Sequence, residues 1–152
     1  MNYYLSQLKW IINALALDPK QLYKLLPVGD FVPLELVQQY EGVVDEDLSN
    51  IQCILSADQL KEIEPLNTYL YMIIQKEELA DCWYDNNFVY SPEWQVLHTM
   101  AKDFEQYMGW QISEPLPPLY SQVIDVSDGL AQRFLLFQPI YTALQFIKRR
   151  FK

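Results

Sequence analysis

Histidine, cysteine, arginine and glycine are scarce in this sequence. The 152 residues include one His, two Cys, three Arg and four Gly. His and Cys are too few for a zinc site, which draws its ligands mainly from these two residue types. Four isolated glycines leave no glycine-rich phosphate loop and no GxSxG nucleophile motif. These absences argue against zinc proteins, phosphate-loop enzymes and serine hydrolases of the GxSxG type.

Acidic residues are abundant and are concentrated in the middle of the chain. The formal net charge is −9, from 20 Asp and Glu against 11 Lys and Arg. Residues 28–66 carry −8 and residues 67–114 carry −6, whereas both ends of the chain are mildly basic. Nucleic-acid binding depends on Lys and Arg that displace counterions from phosphates. The charge therefore argues against direct nucleic-acid binding and predicts a basic protein partner for the acidic middle.

The composition and length predict one folded domain. Hydrophobic residues make up 51% of the chain and aromatic residues 14%, far above the levels typical of disordered segments. We expect a single α+β domain over residues 1–152, with an N-terminal helical segment at 1–30 and a C-terminal helical extension at 109–152. The proline-rich stretch at 114–119 is the only plausible linker.

The sequence shows neither a secretory signal nor a membrane span. The N-terminal apolar stretch lacks a preceding basic region, and Lys9 and Asn13 interrupt it. Cys53 and Cys82 lie far apart with no CxxC spacing, so we expect two reduced, mostly buried thiols. These features predict a cytoplasmic protein.

Apolar residues at three- and four-residue spacing predict amphipathic helices. The predicted helices cover Tyr3–Leu17, the stretch from Asp18-Pro19 to Leu25, Leu34–Tyr40 with its end at Gly42, a turn that begins at Ser56, the stretch from Ser91-Pro92 to Gly109, and a last stretch that begins at Ser127-Asp128. Asp and Ser are preferred N-caps, Pro is favoured at the first helical position, and Gly is favoured just after the last.

The centre of the chain has a different pattern, which predicts β-strands. Thr68–Gln75, Leu79–Tyr84 and Phe88–Tyr90 are rich in β-branched and aromatic residues. A hairpin loop at 76–78 and a turn at 85–87 separate them. We therefore predict a small antiparallel sheet of short central strands packed by N-terminal and C-terminal helices.

Few residues have the pattern of catalytic machinery. His98 is the only imidazole, and a Cys–His pair with Cys53 or Cys82 has no local support in the sequence. The run Asp45-Glu46-Asp47 lacks the alternating ligands and the glycine of a calcium loop. We predict no enzyme activity, no cofactor and no metal. An enzyme that uses a carboxylate pair in a cleft stays open as an alternative.

The acidic middle of the chain supplies the candidate partner-binding residues. Their acids would attract a basic protein, and an exposed aromatic ring would anchor it. Trp83 and Tyr84 alternate sides of a predicted strand, so one of them would face away from the helices unless both faces are covered. The candidates are Glu41, Asp45, Glu46, Asp47, Glu77, Glu78, Trp83, Tyr84 and Asp85.

The C-terminus offers a different interpretation. An apolar helical pattern ends in Lys148-Arg149-Arg150-Phe151-Lys152, which is typical of helices that lie on membrane surfaces. Basic residues in a last turn also complement the helix dipole, so the same pattern fits an ordinary helix end. A membrane-peripheral or oligomeric scaffold is therefore a second alternative, and the oligomeric state is left open.

Three segments, taken in order, resemble the SUKH superfamily of small α+β proteins, which includes many bacterial immunity proteins. Residues 33–42 resemble its early helix, which a proline opens and an aromatic and a glycine close. Residues 85–90 are similar to its central hairpin region, and residues 101–108 to its closing helix. The resemblance implies a non-catalytic immunity protein that neutralises a toxin domain by covering its basic surface.

Overall fold

The computed structural model describes residues 3–25 and 30–110. Within these two ranges the chain is helical, with short 3₁₀ turns between the helices and no β-strand. The helices are α1 (Tyr3–Leu15), α2 (Pro19–Leu22), α3 (Val32–Val43), α4 (Ala57–Ile74) and α5 (Pro92–Tyr107). The predicted C-terminal extension and the proline-rich stretch at 114–119 lie outside the described residues, and the single-domain boundary stays a prediction.

Several predicted helix ends are confirmed. Ser91 precedes Pro92, and its hydroxyl accepts a hydrogen bond from the amide of Trp94 at 3.1 Å. Gly109 has a φ of +63°, the left-handed conformation that favours glycine just after a helix. Gly42, by contrast, lies inside α3, which continues to Val43.

The predicted antiparallel sheet is wrong. Thr68–Ile74 forms the second half of α4, which begins at a capping box between Ser56 and Gln59. The buried residues of α4 recur at helical spacing from its seventh residue to its end: Ile63, Leu66, Asn67, Leu70, Tyr71, Ile73 and Ile74. The strand-like composition of 68–75 therefore reflects burial against other helices rather than pairing in a sheet.

The two other predicted strands form 3₁₀ turns at Glu77–Leu79, Cys82–Tyr84 and Asn86–Tyr90. Backbone bonds between residues three apart close each turn, such as the bond from the Asp85 amide to the Cys82 carbonyl at 3.0 Å. Each turn buries at least one apolar side chain, among them Trp83 and Phe88. Residues 77 and 78 of the predicted hairpin loop lie within the first of these 3₁₀ turns, and residues 86 and 87 of the predicted turn at 85–87 lie within the last.

The core forms around α1. From Leu8 to Leu17 every residue except Lys9 is buried, because α3 and α5 both pack against this helix. The Nδ1 atom of His98 lies 3.0 Å from the Leu15 carbonyl, and Glu105 interacts electrostatically with Lys9. These two pairs show that α1 and α5 run antiparallel. Core aromatic rings continue from α5 into the turns, with 4.9 Å between the Trp83 and Phe88 centroids.

Candidate functional site

The predicted acidic run forms a loop after α3, here called the acidic loop (Asp45–Asp47). The Asp45 carboxylate accepts hydrogen bonds from the Ser49 hydroxyl and from the Asn50 amide, the latter at 3.1 Å. Burial acts to raise the pKa of Asp45, but these hydrogen bonds outweigh it and hold the pKa below its ordinary value. Asp45 therefore organises its own loop, while Glu46 and Asp47 are exposed.

Polar side chains of α3 and α4 hold the backbone around the acidic loop. The Asn67 side-chain amide donates to the Glu46 carbonyl at 2.9 Å and accepts from the Tyr40 hydroxyl at 3.1 Å. The Tyr71 hydroxyl donates to the Val44 carbonyl at 3.3 Å. Complete burial raises the pKa of Tyr40 well above its ordinary value, so this hydroxyl keeps its proton. The loop is thus a fixed, acidic surface feature.

The other predicted partner-binding residues lie in different surroundings. Glu77, Glu78 and Asp85 are exposed, and Glu41 is half-buried on α3. Trp83 is only 2% exposed and packs in the core, so its ring is not available to a partner in this structure.

Tyr84 and Asp85 meet residues from distant parts of the chain, and Asn86 is at the centre of this meeting point. The Asn86 side chain accepts from the Val32 amide at 2.8 Å and donates to the Asp30 carbonyl at 3.1 Å. Its backbone carbonyl accepts from the Tyr23 hydroxyl at 2.7 Å. One residue thereby joins the end of α2, the start of α3 and the last 3₁₀ turn.

Four aromatic rings lie near Asn86, of which Tyr84 is half-buried and the other three are exposed. The Phe31 and Tyr84 rings make an edge-to-face contact with 5.8 Å between centroids and 77° between planes. Phe31 is 42% exposed, Tyr23 37% and Tyr90 55%. The aromatic–acidic face is defined as these rings with the neighbouring carboxylates: Tyr23, Phe31, Tyr84, Tyr90, Asp30, Glu35, Asp81 and Asp85.

The carboxylates of the aromatic–acidic face affect its titratable groups. Burial raises the pKa of Glu35, and the charge of Asp30 raises it further. Burial also raises the pKa of Tyr84, with Asp81 adding to the effect. Both raised pKa values mean that the face disfavours the negatively charged form of these groups. A cation placed on this face would relieve the repulsion among these acids.

The structure does not bring the acidic loop to the aromatic–acidic face. Phe31 precedes the first residue of α3, whereas Asp45 follows its last residue closely. A 12-residue helix is about 18 Å long at 1.5 Å per residue, so the two features lie at opposite ends of α3. The predicted partner-binding residues therefore do not form one site, and only Tyr84 and Asp85 among them belong to the aromatic–acidic face.

Most residues of this face were missed by sequence reasoning, although they share a signal. The rings of Tyr23, Phe31 and Tyr90 lie at the ends of helices or turns, outside the apolar stripes that predict burial. Each stands next to a polar residue, as Phe31 does next to Asp30. Large aromatic residues at such positions are candidates for exposure.

His98 and the cysteines have simpler surroundings. A carbonyl can only accept a hydrogen bond, so the His98 Nδ1 atom carries a proton and donates it to the end of α1. Both cysteines are free thiols, and Cys53 is exposed, so the predicted burial is wrong for that residue. In the described part of the chain no His, Cys, Asp and Glu side chains form a group suited to a metal ion. Among residues 3–25 and 30–110, no helix is both long and apolar enough to cross a membrane.

No family model, curated protein or solved structure matches this chain. The resemblance to the SUKH superfamily therefore stays a prediction.

Proposed function

We propose that this protein is a non-catalytic binding module that recognises a basic protein through the aromatic–acidic face. The observation that carries the proposal is that Asn86 joins segments bearing several surface aromatic rings and carboxylates, with the Phe31 and Tyr84 rings in contact. Tyr residues are common at the centres of protein interfaces, because they bury a large area at low entropic cost. Surrounding acids favour a basic partner over an acidic competitor.

The most specific version of this proposal is an immunity-type inhibitor that covers the basic surface of a toxin. The acidic middle of the chain and the resemblance to the SUKH superfamily support it. If the toxin is a nuclease, carboxylates of this face would occupy the positions of substrate phosphates. A cytoplasmic location belongs to the same proposal, and the two free thiols are compatible with it.

A capture experiment with matched variants tests the proposed function. The full chain is immobilised, incubated with lysate of the cells that encode it, and the captured protein is identified and then purified. Calorimetry measures its affinity for the wild type and for the double variant Phe31→Ala/Tyr90→Ala, which removes two exposed rings of the face. We expect about a tenfold or larger loss of affinity, because truncation of interface aromatics often costs more than 1 kcal/mol each.

The matched control is Tyr3→Ala/Tyr107→Ala, which removes two exposed rings outside the aromatic–acidic face. We expect this control to bind the captured protein like the wild type. A captured protein that is acidic, or one that binds the Phe31→Ala/Tyr90→Ala variant at full affinity, would contradict the proposed function.

A further inference from the structure

We propose, resting on the proposed function, that the group recognised by the aromatic–acidic face is an arginine side chain of the partner. The guanidinium would stack on the corner formed by the Phe31 and Tyr84 rings and form hydrogen bonds with the carboxylates beside it. This inference names the chemistry of the contact, whereas the proposed function names only a basic protein.

The backbone places one carboxylate a single turn from each of these two rings. The Glu35 amide donates to the Phe31 carbonyl at 3.0 Å, so Glu35 lies one helical turn beyond Phe31 on the same side of α3. The Tyr84 amide donates to the Asp81 carbonyl at 3.2 Å, so Asp81 lies one 3₁₀ turn before Tyr84. The edge-to-face contact then brings the two ring–carboxylate pairs together.

This arrangement fits a guanidinium better than an ammonium. A guanidinium is planar, so it can stack on a ring within about 6 Å while its N–H groups point outward in its own plane. Carboxylates at the margin of the rings can accept those N–H groups in pairs. A lysine ammonium is a compact, strongly hydrated charge that cannot make both contacts in this way. A trimethylated lysine has no N–H group for the carboxylates.

The other half of the face is a poorer site for a cation. Tyr23 lies between Lys20 and Lys24, both of which are exposed and carry positive charge. The Asp85 carboxylate already accepts from the Asn87 amide at 2.8 Å. The Phe31–Tyr84 half has Asp30, Glu35 and Asp81 as its charged neighbours. The arginine is therefore assigned to the Phe31–Tyr84 half.

Labelled peptides test this assignment on the full chain by fluorescence anisotropy at low ionic strength. Four peptides with the same Gly-Ser background carry three residues of Arg, Lys, trimethyl-lysine or citrulline. We expect the Arg peptide to bind about fivefold tighter than the Lys peptide, the trimethyl-lysine peptide to bind more weakly than the Arg peptide, and the citrulline peptide not to bind.

Variants of the chain show which rings cause the preference for the Arg peptide over the Lys peptide. Phe31→Leu/Tyr84→Leu keeps apolar volume but removes both aromatic rings, so we expect the Arg and Lys peptides to bind equally. Tyr107→Leu removes an exposed ring on α5, outside the aromatic–acidic face, and should leave the fivefold preference unchanged. Circular dichroism and the thermal midpoint of each variant check that the fold is intact.

The outcomes separate this inference from the proposed function. Equal binding of Arg and Lys peptides, or tightest binding of the trimethyl-lysine peptide, overturns the arginine assignment and leaves the proposed function in place. Tighter binding of a peptide of residues 148–152 than of a scrambled peptide with the same five residues also overturns it, because the occupant would then be the chain's own C-terminus. If no cationic peptide binds and the Phe31→Ala/Tyr90→Ala variant keeps full affinity for the captured protein, both proposals fail.

Discussion

Asn86 forms three hydrogen bonds with residues more than fifty positions away in the sequence. Its side chain bonds the Val32 amide and the Asp30 carbonyl, and its carbonyl accepts from Tyr23. A primary amide suits this position, because it has both a donor and an acceptor to offer to two backbone groups. The sequence predicts only that Asn86 lies in a turn, whereas the aromatic–acidic face depends on its long-range hydrogen bonds.

Replacement of Asn86 by Ala should destabilise the fold by about 1–3 kcal/mol, because the Val32 amide and the Asp30 carbonyl lose their partner in a part-buried site. Urea denaturation followed by circular dichroism measures this loss. Asn87→Ala is the matched control, since Asn87 is exposed and only its backbone amide bonds Asp85. Equal stability of the two variants would contradict the role given to Asn86.

Glu35 makes stability depend on pH. Its pKa in the folded state is raised above the ordinary 4.5 by burial and by Asp30. A raised carboxyl pKa means that the folded state binds its proton more tightly than the unfolded state, so ionisation costs stability as the pH rises from 4.5 through the folded pKa. Glu35→Gln should therefore be more stable than the wild type at pH 7 and equally stable well below pH 4.5.

Denaturant unfolding at several pH values checks the Glu35 prediction, with Glu78→Gln as a control of the same charge change at an exposed position. A Glu35→Gln variant that is less stable than the wild type at pH 7 would show that the carboxylate stabilises the fold. If Glu35→Gln is more stable at pH 7 but binds the partner more weakly, the Glu35 carboxylate destabilises the fold and contributes to partner binding.

At the scale of elements, helix α5 and helix α4 show why one prediction succeeded and another failed. The α5 sequence has Ser91-Pro92 at its start, a single apolar stripe and Gly109 after its end, so local signals agree. The second half of α4 is apolar on more than one side, which makes its period hard to recognise over eight residues. Its helical state is set by the upstream capping box and by packing against α5.

Pro65 gives a direct test of α4. It lies inside the helix on the exposed side, where its missing amide leaves the carbonyl of Lys61 without a helical partner. Pro65→Ala should restore that hydrogen bond and stabilise the protein by about 1 kcal/mol or more. Thermal unfolding and the helical signal in circular dichroism measure the effect.

The matched control for Pro65 is Pro92→Ala at the first position of α5, where the amide would be free of a helical partner in either case. We expect that control to change stability by only a few tenths of a kcal/mol. If Pro65→Ala destabilised the protein while Pro92→Ala did not, the chain around residue 65 would not be a continuous helix.

At the scale of the whole molecule, the sequence predicts a basic partner, but it does not indicate which residues come together on the surface. Tyr84 and Asp85 belonged to the predicted set because they lie in the acidic middle. Phe31 reaches Tyr84 across more than fifty residues, through a tertiary contact that local spacing does not indicate. The acidic loop was the most conspicuous pattern, yet the carboxylate of Asp45 serves the loop itself.

Association kinetics distinguish a contribution of total charge from a contribution of direct contact. Asp81→Lys on the aromatic–acidic face and Glu46→Lys on the acidic loop both replace an exposed acid and change the net charge from −9 to −7. Long-range attraction depends on the whole charge, so both variants should slow association with the captured protein by a similar factor of about two at low salt. Added salt should bring the association rates of both variants close to that of the wild type, because it screens the long-range attraction.

Dissociation should respond differently, because it depends on contacts within the complex. We expect Asp81→Lys to raise the dissociation rate about fivefold or more and Glu46→Lys to leave it unchanged, since only Asp81 lies beside the proposed arginine. Surface plasmon resonance at two ionic strengths measures both rates. Faster dissociation of the Glu46→Lys variant alone would place the contact on the acidic loop, because an uncontacted charge affects how often partners meet but not how long they stay together.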